Sequence, residues 1–67
     1  MEQQLNFTQR ELEVSRLLVD GLNNREIAKK LSISSHTVKV HLCAIYEKLS
    51  VNNRVQAVVK ILKMNVL

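Results

Sequence analysis

An all-α fold of four short helices is what this sequence predicts, and three observations carry the prediction. The 67 residues hold no proline, one glycine and 46% apolar side chains, which suits helices on tight joints, while 3% aromatic content leaves little for a small β-barrel. Apolar residues recur at three- and four-residue spacings. A Ser, Thr or Asn stands before each periodic segment, and Thr8, Asn23 and Asn53 each have Glu or Gln three residues on, as in a capping box. A chain this short makes one domain and buries only about 60% of its unfolded surface, so its stability is modest.

In order, residues 1–6 are polar and read as a flexible N-terminal segment, with the domain spanning 7–67. Thr8 and Glu11 open a helix over 9–20, with Phe7 placed to staple onto Leu12. Val14, Leu17 and Leu18 form its core stripe, and Gly21 supplies a left-handed residue to end it. The signature recurs at Leu22, Asn23, Glu26 and Ile27 for a helix over 24–31. Ile27, Ala28 and Leu31 face inward there, leaving Arg25, Lys29 and Lys30 for solvent or phosphate. The joint Leu31-Ser32-Ile33-Ser34 allows only a sharp turn before Ser34 caps a third helix, 35–49, with Ile33 stapling onto Val38. Two helices so joined make a helix-turn-helix over about 24–43.

In the third helix Val38, Leu42, Ile45 and Leu49 share the buried stripe. His36, Val40, Cys43 and Glu47 point the opposite way, with Lys39 to one side and Thr37, His41 and Lys48 along the other edge. Asn53 and Gln56 cap a fourth helix, 54–64. Val55, Val58, Val59 and Leu62 are expected to pack on the domain, and a second stripe of Ala57, Ile61 and Met64 to serve dimerisation.

The charge balance narrows the partners. A net charge of +4 and a pI near 9.7 favour a polyanion. A single cysteine forms no internal disulfide, which suits a reducing compartment and the cytoplasm. No stretch approaches the ~18–20 apolar residues of a membrane helix, and the start has neither region of a signal peptide. No phosphate-cradling glycine loop and no nucleophile–base pair is present, so neither catalysis nor a cofactor is expected. His36 and His41 lie about 140° apart around a helix, with no second cysteine to complete a metal site.

A helix with a core stripe, a mixed outward face and polar flanks suits a DNA major groove, where the face meets base edges and the flanks meet phosphates. Base contacts are expected from Lys39, Val40, His36 and Cys43, Val40 by apolar contact with a thymine methyl. Phosphate contacts are expected from Arg25, Lys30, Thr37, His41 and Lys48, and Arg54 either meets a phosphate or caps its helix in solvent. The competing reading is a helical protein-interaction module whose basic charge is incidental.

Five pieces then stand in order: T-x-R-E-x-E-V from Thr8, G-x-x-N-x-E-I-A from Gly21, S-x-x-T-V-K-x-H from Ser34, K-L at Lys48, and N-R-V-x-A from Asn53. Together they resemble the LuxR/GerE-type helix-turn-helix, including the output domains of NarL/FixJ-type response regulators, over nearly the whole chain. The resemblance implies a recognition helix in the major groove and a fourth helix that dimerises on double-stranded DNA. It further implies bases at Lys39 and Val40 and phosphates at Thr37, Lys48 and Asn24 or Arg25. RNA polymerase and, in a longer protein, an N-terminal regulatory domain are implied as partners. Two positions depart from the pattern. Ser32 stands where the turn often has glycine, so it either avoids positive φ or carries strain. Cys43 replaces a basic residue of NarL-like members, leaving Lys39 as the one cation of the outward face.

Overall fold

The computed structural model describes residues 6–64 as four helices, α1 (Gln9–Val19), α2 (Asn24–Leu31), α3 (Ser35–Leu49) and α4 (Arg54–Met64). Of the flexible segment expected at 1–6, residues 1–5 lie outside the described residues, as do 65–67. Each helix starts on a side-chain cap. Thr8 and Glu11 bond reciprocally, as do Asn23 and Glu26, each pair forming a complete capping box. Ser34 Oγ accepts from the Thr37 N–H at 2.9 Å, and Asn53 Oδ1 accepts from the Gln56 N–H at 2.9 Å. Gln56 returns its bond to the N–H of Asn52 instead of Asn53, a box shifted by one residue.

The three joints repeat one device. Leu22, Ile33 and Val51 each donate back to the carbonyl five residues earlier, on Leu17, Ala28 and Tyr46, while the preceding N–H closes the inner bond. This Schellman geometry needs a left-handed residue, supplied by Gly21 (φ 93°), Ser32 (φ 57°) and Ser50 (φ 59°). Ser32 therefore adopts positive φ. A non-glycine residue there costs roughly 1–2 kcal/mol, which the satisfied carbonyls and the packing of Ile33 and Val51 on the core offset.

The core is built from Val14, Leu18, Ile27, Ala28, Val38, Leu42, Ile45, Leu49, Ala57 and Ile61. The predicted stripe of α3 is buried in full, and α3 packs against all three other helices. Leu17, expected in the stripe of α1, is only partly buried.

In α4 the structure reverses the expected faces. Ala57 and Ile61, assigned from sequence to a dimer contact, are 0% and 1% exposed in the monomer core, and Met64 packs against it. Val55 and Leu62, expected inside, are 72% and 60% exposed, and Val59 is exposed too. Val58 alone of that stripe packs on the core. The physical reason is the roll of the helix. Two apolar stripes of similar size leave periodicity undecided, and the α3–α4 joint, fixed by Ser50 and the Asn53 cap, turns the small Ala57 toward α1 and α3.

Candidate nucleic-acid interface

The outward side of α3 is built by default. Its core stripe and its caps fix the roll of the helix, so residues about 180° from the stripe have only solvent to face. His36, Lys39, Val40, Cys43 and Glu47 are exposed, with Val40 at 53% and Cys43 a free thiol. Thr37, His41 and Lys48 are half-buried along one edge. The structure thus brings together on one helix face the four residues predicted to meet bases.

At the start of α3, Ser34 Oγ donates to Thr37 Oγ1 at 2.8 Å and accepts from the Thr37 N–H. The Thr37 hydroxyl proton is left to donate outward, at the positive end of the α3 dipole, where an anion is favoured. Asn24 occupies the first turn of α2 and is half-buried, while Arg25, Lys29 and Lys30 are exposed. Arg25 and Lys30 lie about 140° apart around α2, so they flank its outer arc on opposite sides and form no cluster.

Two predicted phosphate contacts are spent inside the chain. Lys48 Nζ lies 2.6 Å from Glu11 Oε1 and 2.6 Å from the Asn6 carbonyl, with the Phe7 ring centroid at 5.8 Å. Glu11 is buried and its other bond comes from the Thr8 N–H at 2.9 Å, so it needs this cation. Burial pushes the Glu11 carboxyl up. The Lys48 hydrogen bond, the Thr8 N–H and the charges of Lys48 and His41 outweigh it and hold the carboxyl below its usual range. Arg54 likewise donates from Nη2 to the Leu22 carbonyl, tying α4 to the α1–α2 joint. Its charge also lowers the Tyr46 hydroxyl, against a larger upward push from burial, so the net shift is upward.

Sequence reasoning read Glu11 as a cap and missed its second bond, since Lys48 stands 37 residues away with no local signal to join them. An open groove of about 440 Å³ beside α4 was also missed, lined by Ser50, Val51, Val55, Gln56, Val59, Lys60 and Lys63. Among the described residues, no group of three His, Cys, Asp or Glu side chains could hold a metal, and no helix is long and apolar enough to cross a membrane.

Residues 5–61 match the family described as bacterial regulatory proteins, luxR family. The transcriptional regulatory protein DegU of Brevibacillus brevis is 50% identical over 57 residues, 85% of this chain and 24% of that protein. DesR of Bacillus subtilis, also a transcriptional regulatory protein, is 49% identical over 54 residues, 81% of this chain and 27% of that protein. The crystal structure of the response regulator ChrA, of a heme-sensing two-component system, superposes with a TM-score of 0.87 at 42% identity, covering all of this chain and 32% of that one. The chain thus spans about a quarter of the relatives' length.

Proposed function

The chain belongs to the luxR family of bacterial regulatory proteins, and on that premise we propose that it binds double-stranded DNA with sequence preference as the output domain of a bacterial transcription regulator. The carrying observation is the outer face of α3, where His36, Val40, Cys43 and Glu47 stand exposed directly opposite a fully buried stripe. In this reading α3 lies in the major groove, with Lys39, Val40, His36 and Cys43 against base edges. Thr37, His41, Asn24, Arg25 and Lys30 meet phosphates. Lys48 and Arg54 hold the fold instead.

A second copy binds alongside through α4. Val55, Val59 and Leu62 are exposed on one side of that helix, and a two-fold contact between copies covers them. In this reading the further partners are a separate N-terminal regulatory domain, in keeping with a chain that spans about a quarter of relatives named as regulatory proteins, and RNA polymerase, met in the cytoplasm.

A salt titration against random duplex DNA tests the reading. Binding should weaken with a log–log slope of about −0.9 for each phosphate neutralised. No binding at roughly 50 mM salt would favour the helical protein-interaction module instead.

A further inference from the structure

Building on the DNA-binding reading above, we propose that the centre of α3 reads the 5-methyl groups of thymines in two neighbouring A·T pairs, Val40 taking one and Cys43 the other. The exposed residues furthest from the core stripe Val38, Leu42, Ile45 and Leu49 are His36, Val40, Cys43 and Glu47, in that order along the helix. The polar pair is at the ends of this line and the apolar pair at its middle. Val40 is 53% exposed and Cys43 is an exposed free thiol, so neither is consumed by the fold. Lys39 stands about 100° round the helix from Val40, so its long side chain approaches base edges from one side and leaves the centre of the face to Val40 and Cys43.

The chemistry of the groove makes this pair selective. Of the four bases only thymine presents a methyl group in the major groove; guanine and adenine present donors and acceptors there, and cytosine an amino donor beside a bare C5–H. A valine or thiol pressed on a donor or acceptor strands it without a partner, whereas pressed on a methyl it removes apolar surface from water. Selection therefore works in both directions. The spacing fits as well. Three residues advance about 4.5 Å along a helix and neighbouring base pairs are about 3.4 Å apart, so side chains at 40 and 43 meet successive pairs.

The test begins with sequences selected from random duplex DNA by the 67-residue chain. In the preferred site each thymine is then replaced singly by deoxyuridine, which deletes only the methyl group. Two neighbouring base pairs should each lose about fourfold in affinity, the worth of one methyl. Val40→Ala should abolish the deoxyuridine effect at one of them, and Cys43→Ser at the other. Both positions are exposed, so the variants keep the fold, which circular dichroism checks. Selected sites without neighbouring A·T pairs, or a deoxyuridine penalty unchanged in both variants, would overturn the proposal and leave DNA binding intact. No binding to any duplex at low salt would overturn both.

Discussion

Lys48 Nζ sits 2.6 Å from Glu11 Oε1, and this contact fastens the last turn of α3 to the first turn of α1. The two partners are unequally exposed, at 32% for the lysine side chain and 8% for the glutamate. Removing the lysine strands a buried carboxylate, whereas removing the carboxylate lets the lysine swing into water. We expect Lys48→Met to cost about 2 kcal/mol, discounted from the fully buried case because the lysine is partly wet. Glu11→Gln should cost only about 1, since glutamine can keep the Thr8 bond. Urea denaturation measures both. Equal costs would show that the asymmetry of burial does not matter here.

The same carboxyl gives stability a pH dependence. Its value in the folded chain is lower than in the unfolded one, so its contribution is fully present above the unfolded value of about 4.5. That contribution is lost as pH falls through the lower, folded value. Stability measured from pH 6 downward should therefore begin to fall near ~5 and continue past ~4. In Glu11→Gln the acid slope should be shallower. An unchanged slope would place the responsible groups elsewhere.

Ser15 is fully buried in α1, and its Oγ has no hydrogen-bond partner. Alanine deletes the orphaned hydroxyl, improves helix propensity and leaves no cavity larger than the missing oxygen. Ser15→Ala should therefore stabilise the domain by about 1 kcal/mol, raising Tm by roughly 4–8 °C in a chain of this size. A loss of stability on thermal scanning would reveal a bonded hydroxyl.

What the sequence made legible was whatever is written locally. The four helices are set by caps three residues long and by stripes within one segment, so Thr8, Asn23, Ser34 and Gly21 could be read directly. The outer face of α3 followed because that helix has a single apolar stripe. Contacts between distant segments were not legible. Lys48 looks like any flank cation until α1 places Glu11 beside it, and Arg54 until the Leu22 carbonyl arrives. α4 failed for a third reason. Its two apolar stripes are of similar size, so periodicity could not choose between them, and the roll that buries Ala57 and Ile61 is set by the joint with α3 and by the packing on α1 and α3.

Lys39 and Arg25 should separate the two kinds of DNA contact. Lys39→Ala should cost about 1–3 kcal/mol at a selected site and relax specificity, if its ammonium meets a guanine at the groove side. Arg25→Ala should weaken all duplexes alike and reduce the salt slope by about one unit. Quantitative gel shifts on selected and random DNA at several salt concentrations give both numbers. A Lys39→Ala protein with full discrimination would remove α3 from base recognition.

The reversed faces of α4 yield opposite expectations for two residues two positions apart. Val59 is exposed, so Val59→Asp should leave the monomer folded and cut cooperative binding to paired half-sites, about tenfold or more if the face carries even one contact worth 1.4 kcal/mol. Ile61 is 1% exposed, so Ile61→Asp forces an unpaired carboxylate into the core. A domain of this size is stable by roughly 3–10 kcal/mol, and losses of 4 or more are expected when a charge is buried unpaired. Ile61→Asp should therefore unfold, as circular dichroism would show, while Val59→Asp should not. Cooperative binding that survives Val59→Asp and Leu62→Asp together would mean that copies of this chain do not meet through α4.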